Sequence, residues 1–196
     1  MATAIAAQRQ SKLEVAEEYY RRAFLNARLS RLGPREKSGV LYNLALVKRD
    51  LCKLDEAETV FLESLRIAEE SQASVGRLML RILELSQLYY DQERYAEALP
   101  WMERATKLGY EMDAPSSEPG RFGEYFREYA IVLRSQGQDE RAAEVDEQAA
   151  ELRDAAAAAG APLGREHPLF RHPPCDSQGD SARSSREASS LAASIR

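Results

Sequence analysis

The sequence has few of the residues that enzymes commonly use for catalysis or metal binding. It contains two histidines and two cysteines among 196 residues. Both histidines, His167 and His172, lie close to Cys175 in a segment rich in serine and proline. A zinc site needs three or four ligands on ordered backbone, and a histidine-assisted nucleophile needs a histidine in the folded part of the chain. We therefore predict a protein that is not an enzyme and has no cofactor and no metal site.

Long apolar runs and stripes of one charge are also missing. No run approaches the roughly 18 apolar residues that a membrane-spanning helix requires. The net charge is −5 and basic residues alternate with acidic ones, which argues against binding to a phosphate backbone. The start of the sequence, MATAIAAQRQSKLE, shows no basic leader followed by an apolar stretch. We expect a cytoplasmic protein that binds neither membranes nor nucleic acids.

The two cysteines are far apart in the sequence, and one of them lies in the serine-rich segment. Disulfides are common in small secreted proteins and rare in cytoplasmic ones. We therefore expect Cys52 and Cys175 to be reduced thiols. Cys52 is predicted to be a small residue in a tight turn between two helices. The alternative is a redox-sensing thiol, which would need a lowered pKa.

Signals for β-strands are weak, and apolar residues recur instead at spacings of three and four. This pattern predicts an all-α protein. The predicted helices span residues 12–29, 36–51, 54–70, 75–92, 95–109, 121–136 and 139–159. The segment 160–196 has seven serines, four prolines and few apolar residues, so it is predicted to be a disordered tail after a helical domain at 1–159.

Four segments align without gaps, which indicates an internal repeat. Their shared alanines are Ala16, Ala57, Ala98 and Ala142, spaced by 41, 41 and 44 residues. Four residues after each alanine come Tyr20, Phe61, Met102 and, as a departure, Asp146. A second block, YNLALVK, LELSQLY and REYAIVL, precedes the last three segments and pairs a bulky residue with a small one. Small residues let two helices approach closely while a large neighbour fills the space beside them, so each unit is predicted to be a helix hairpin.

This two-block pattern resembles the tetratricopeptide repeat. The positions that carry the resemblance are Ala45, Ala57, Phe61 and Ser64 in one unit, and Ser86, Ala98, Met102 and Ala105 in the next. The period of about 42 residues is similar to the longer repeats of the kinesin light chain type. The resemblance implies a right-handed superhelical solenoid of about three and a half antiparallel hairpins. The first unit has only residues 1–10 for its leading helix and is expected to be cut short.

The resemblance also implies where a partner binds. In this family the first helix of each hairpin lines a concave groove that holds a protein or peptide. Carried over by register, the groove residues are Tyr42, Asn43, Leu46, Arg49, Leu83, Glu84, Gln87, Tyr90, Arg127, Glu128, Ile131 and Arg134. Apolar contacts would give affinity there, and arginine–carboxylate pairs would fix the register. An ordinary solvated helix face is the alternative reading of these residues.

Other functions of such a fold are also considered. A clamp for the acidic C-terminus of heat-shock chaperones is not expected, because Leu80 and Glu84 occupy the positions where that clamp has a lysine and an arginine. A structural role would place self-association at an aromatic N-terminal edge formed by Tyr19, Tyr20 and Phe24. A regulatory domain detached from a larger signalling protein is the third possibility. The leading prediction is a non-enzymatic module that binds a partner protein or peptide.

Overall fold

A computed structural model of the protein describes residues 12–29, 33–160 and 175. In these residues the chain forms eight helices and no strand. They are α1 Leu13–Leu29, α2 Pro34–Asp50, α3 Leu54–Glu70, α4 Val75–Asp91, α5 Tyr95–Glu111, α6 Ala114–Ser117, α7 Pro119–Ser135 and α8 Asp139–Ala158. Successive helices pack against one another, and α5 also contacts α7 across the short α6. The architecture is the predicted all-α, right-handed solenoid of helix hairpins.

The helix boundaries differ from the predicted ones mainly at prolines. Helix α2 begins at Pro34 rather than at residue 36, and α7 begins at Pro119 rather than at 121. Proline is favoured in the first turn of a helix, where its missing N–H costs nothing. The predicted loop after α5 contains the one-turn helix α6. The leading helix expected in residues 1–10 lies outside the described residues, and so does the expected disordered tail apart from Gly160 and Cys175.

The small and large residues of the repeat pattern pack as predicted between paired helices. In the α2–α3 hairpin, Ala45, Ala57 and Phe61 are completely buried. In the α4–α5 hairpin, the equivalent Ala98 and Met102 are also completely buried. The alanine methyl groups let the two helix axes come close, and the large side chain four residues later closes the remaining space. The repeat pattern is thus a packing pattern.

The three hairpin turns share one backbone geometry. Each turn has one residue in the left-handed region, namely Cys52, Glu93 and Gly137, with φ of 57°, 56° and 72°. In each turn the amide of the following residue donates to the carbonyl of the residue five positions earlier, at 2.9 or 3.0 Å. These bonds satisfy carbonyls that the end of a helix would otherwise leave without a partner. Only the last turn has the glycine that prefers this conformation.

The expectation of two reduced thiols is wrong. The structure joins Cys52 and Cys175 in a disulfide, with their Cα atoms 5.5 Å apart, a usual separation for such a bond. The two residues are 123 positions apart in the sequence, and sequence separation alone does not reveal distance in a folded chain. The prediction that Cys52 lies in a tight turn is correct. That turn therefore carries a covalent bond to the C-terminal part of the chain.

Candidate protein-binding groove

The predicted groove residues lie on the leading helices α2, α4 and α7, and they differ widely in exposure. Arg127, Ile131 and Arg134 on α7 are exposed. Half-buried residues are Tyr42, Asn43, Leu46, Glu84, Tyr90 and Glu128, whereas Arg49, Leu83 and Gln87 are buried. Buried side chains have little surface to offer a partner. The candidate surface therefore has a closed part on α2 and α4 and an open part on α7.

In the closed part, polar side chains of α2 and α4 bind each other. A guanidinium nitrogen of Arg49, Nη1, donates to Oε2 of Glu84. The hydroxyl of Tyr42 donates to the other carboxylate oxygen of Glu84 at 3.4 Å. Arg49 also pairs with Asp50 at 3.3 Å. These residues hold two successive hairpins together, because Glu84 accepts from two residues of the preceding leading helix.

Arg81 extends this network and was missed by the sequence reading. Its side chain is buried, with the residue 5% exposed, and its Nε donates to the hydroxyl of Ser64 at 2.9 Å. Its guanidinium carbon lies 5.0 Å from the ring centroid of Tyr42, a favourable cation–π distance. Burial lowers the pKa of Arg81, and burial followed by the charge of Glu84 raises the pKa of Tyr42. The only sequence signal was an arginine at a helical position surrounded by apolar residues.

Ser64 links Arg81 to the first hairpin. The hydroxyls of Ser38 and Ser64 each donate to the other residue's backbone carbonyl at 2.8 Å. Both serines are buried, so these bonds satisfy groups that would be costly to leave alone. Polar contacts thus run from α2 through α3 to α4.

The open part on α7 presents one aliphatic and two basic side chains on a single face. Ile131 is 40% exposed, and Arg127 and Arg134 lie four residues before it and three after it, so helical geometry places all three together. Arg127 pairs with Glu124 at 2.7 Å, and its side chain is 51% exposed. Ion pairs with one exposed partner, such as Arg127 here, are well screened and contribute about 0–1 kcal/mol. A carboxylate on a partner could therefore replace Glu124 at little cost.

The structure shows why Asp146 can stand where the other units have a large residue. It lies on α8, where Arg134 of α7 donates to its carboxylate. Phe61 and Met102 at the equivalent positions fill the core. In the last hairpin this position instead forms an ion pair at the surface.

The predicted N-terminal edge is smaller than expected. Tyr20 is completely buried and packs in a cluster with Ala16, Val40, Leu44 and Val47, so it cannot be part of an exposed edge. Phe24 is half-buried, and Tyr19 is 39% exposed. Helical periodicity explains the difference, because adjacent residues point about 100° apart, so that Tyr20 faces α2 and Tyr19 is turned away from it. Self-association through Tyr19 stays a prediction.

The described residues contain neither a metal cluster nor a membrane-spanning helix. In residues 12–29, 33–160 and 175, no group of three or more histidine, cysteine, aspartate or glutamate residues is arranged to hold a metal ion. In the same residues, no helix combines the length and the apolar composition that crossing a membrane requires.

Comparisons with known proteins support the repeat assignment. Residues 36–110 match the family model of the tetratricopeptide repeat. The structure is similar to that of BtubC (BKLC) from P. vanneervenii, with a TM-score of 0.69, 21% identity and coverage of 83% of this chain. The chain spans 64% of the length of that protein. No curated protein matches the sequence.

A second similar structure contains nearly identical TPR-like repeats from Podosopora anserina, described as those of a kinesin light chain. It has a TM-score of 0.62 and 17% identity, and the match covers 86% of this chain and 77% of that one. A variant of the same protein gives a TM-score of 0.63. At these identities the similarity concerns the fold. The predicted resemblance to tetratricopeptide repeats of the kinesin light chain type is confirmed.

Proposed function

We propose that this tetratricopeptide repeat protein binds a partner protein or peptide across the face formed by α2, α4 and α7. Such repeats generally serve as scaffolds for protein–protein interaction and are typically not enzymes. The observation that supports the proposal best is the face of α7, where an exposed isoleucine lies between two exposed arginines. Apolar contact and charge pairing could both operate there.

The open and closed parts of the surface suggest different roles in binding. On α7, the side chains of Arg127 and Arg134 are 51% and 47% exposed and pair with the half-buried Glu124 and Asp146, so an acidic partner could compete for them from the solvent side. On α2 and α4, the Arg49–Glu84 pair is largely buried, and breaking it would leave a charge in a poorly solvated place. We therefore propose that α7 supplies the charge contacts with the partner, and that α2 and α4 supply a rigid surface that does not rearrange on binding.

The test is a double charge reversal, Arg127→Glu with Arg134→Glu. We expect it to abolish capture of the partner from a cell extract, identified by mass spectrometry, and to weaken binding of that purified partner at least tenfold. The matched control is Arg66→Glu with Arg104→Glu. Both arginines lie on the trailing helices α3 and α5 and pair with Glu70 and Glu69, so the control loses the same charge and the same number of ion pairs.

Circular dichroism should show the same helicity for both double variants. Equal capture by the groove variant and the wild type would disprove the assignment of the groove. Equal loss in both variants would show that net charge, rather than this face, determines binding. We also propose a cytoplasmic location, which fractionation of the source cells would test.

A further inference from the structure

The disulfide lies at a turn that the other two hairpins build without one. Cys52 occupies the same left-handed position as Glu93 and Gly137, and the three turns close with the same backbone hydrogen bond. The turns at Glu93 and Gly137 therefore show the same backbone geometry in the absence of a disulfide. Because two of three equivalent turns form without a covalent bond, we expect the hairpin at Cys52 to fold without the disulfide.

The helices around Cys52 are also held by other interactions. Ala45, Ala57 and Phe61 are completely buried between α2 and α3, and the paired serines Ser38 and Ser64 join the other end of the same hairpin. Breaking the disulfide removes none of these contacts. The bond is thus an addition to a complete hairpin, not a substitute for a missing core.

Both sulfur-bearing residues are partly open to solvent. Cys52 and Cys175 are half-buried rather than enclosed in the core, and exchange requires that a thiol reach one of the two sulfurs. The sulfur of Cys175 lies 3.9 Å from the carbonyl oxygen of Arg49, whose guanidinium pairs with Glu84. The oxidised chain therefore keeps residue 175 at the end of α2, beside the closed part of the groove.

We propose that the Cys52–Cys175 bond is a reversible thiol–disulfide exchange site that ties the C-terminal part of the chain to the first hairpin turn. In the oxidised protein the turn is covalently joined to Cys175. In the reduced protein the repeats keep their fold and Cys175 is released from the turn. This inference goes beyond the proposed binding function and does not depend on any partner in the groove.

The exchange is a two-electron reaction with a cellular thiol such as glutathione. A glutathione thiolate attacks one sulfur, breaks the Cys52–Cys175 bond and forms a mixed disulfide, while the other cysteine leaves as a thiolate and takes up a proton. A second glutathione thiolate attacks the mixed disulfide and releases oxidised glutathione and the second cysteine thiol. Two glutathione thiols are oxidised and one protein disulfide is reduced. The reverse sequence reforms the bond.

The experiment equilibrates the purified full chain in mixtures of reduced and oxidised glutathione. Samples are quenched in acid, free thiols are alkylated, and the intact mass counts them. We expect alkylation of both cysteines to change from complete to absent across the series, with the same end point from either direction. Circular dichroism should show unchanged helicity throughout.

Two variants serve as controls. Cys175→Ser leaves the turn untouched, and Cys52→Gly gives this turn the residue that the third turn has at Gly137. Both should fold with wild-type helicity in oxidising and reducing buffers. Both should also remain free of an intramolecular bond at every glutathione ratio.

Three results would overturn the proposal. One is alkylation of both cysteines even in the most oxidising mixture, which would mean that the bond does not form. Another is loss of helicity together with the bond, or misfolding of both variants, which would make the disulfide structural. The third is a bond that no glutathione ratio breaks in the folded chain, which would make it permanent.

Discussion

The two ends of the solenoid differ in the polar contacts that accompany their buried apolar side chains. At the N-terminal end, Lys48 of α2 donates to Glu17 of α1 at 2.8 Å and to Glu56 of α3 at 2.5 Å. The equivalent residue of the last hairpin is Leu133, which is completely buried among apolar neighbours. In the middle hairpin the equivalent residue is Tyr89, whose hydroxyl donates to Glu58 at 2.9 Å. One repeat position thus changes from a charge to a hydroxyl to an aliphatic group along the chain.

At the C-terminal end, a cluster of aromatic rings fills the core and the ion pairs lie at the surface. Phe126 is 1% exposed, and its ring centroid lies 6.1 Å from that of Phe122 and 6.2 Å from that of Tyr125. The hydroxyl of Tyr125 donates to the carbonyl of Met102 at 3.1 Å, so α7 is also bonded to α5. Gly109 of α5 leaves room for Phe122, because a Cβ there would lie 2.7 Å from the phenylalanine ring.

The difference shows how a repeat protein can contain helix interfaces that respond differently to pH and salt. In a solenoid, stability is approximately a sum of the contributions of the units and of the interfaces between neighbours. An apolar interface depends little on pH or salt, whereas an interface made of ion pairs depends on both. The junction of α1 combines the apolar cluster around Tyr20 with the ion pairs of Glu17, so we expect acid and salt to weaken the docking of α1 more than they weaken the C-terminal hairpin.

The largest expected effect comes from the aromatic cluster. Phe126→Ala should lower the free energy of unfolding by about 3–5 kcal/mol, because it removes a fully buried ring from a close-packed core. Urea denaturation followed by circular dichroism measures this change. Ile131→Ala on the exposed face of the same helix is the control and should change stability by about 0.5 kcal/mol or less. A similar loss in both variants would mean that burial in the aromatic cluster does not set the stability of α7, since alanine is the best helix former and its propensity could not cause the loss.

A smaller effect is expected at the charged junction. Lys48→Met should weaken the docking of α1 by about 1–3 kcal/mol, because it removes a hydrogen-bond partner from the largely buried carboxylate of Glu17. Hydrogen exchange of the amides of α1 measures this loss. Lys53→Met is the control, since Lys53 pairs with the same carboxylate but its side chain is 42% exposed, and it should cost about 0–1 kcal/mol. Equal exchange in the two variants would show that burial of the pair is irrelevant.

The smallest effect concerns pH. Burial raises the pKa of Glu17, but hydrogen bonds from Lys48 and Lys53 outweigh it and hold the pKa below its ordinary value of 4.5. Because the folded-state pKa is lowered, this contribution to stability is complete above the ordinary value and is lost as the pH falls through the lowered one. Protection of α1 amides, corrected for intrinsic exchange, should therefore decrease below about pH 4.5.

The control for the pH effect is Glu17→Gln, which cannot titrate. In this variant the protection of α1 should be lower at neutral pH and should change less on acidification. The amides of α7 serve as an internal reference in both proteins. If the variant lost protection as steeply as the wild type, another carboxylate would have to be responsible.

The sequence predicted the parts of the fold that depend on periodicity. The spacing of Ala57 and Phe61 and its repetition placed seven helices within a few residues of their observed bounds. It could not predict the Arg49–Glu84 pair or the position of Arg81, because contacts between units depend on how successive hairpins are offset in space. It also missed the disulfide, for which the relevant quantity is a distance across the fold. The groove itself remains a prediction, with α7 as its most accessible part.

The disulfide also determines how the molecule would carry tension. In the oxidised chain, a pull applied beyond Cys175 enters the solenoid at the turn after α2. The covalent path from there to the N-terminus runs through α2 and α1, so the helices from α3 to α8 form a side loop that bears no load. In the reduced chain the same pull would pass through α8 and load every hairpin in turn.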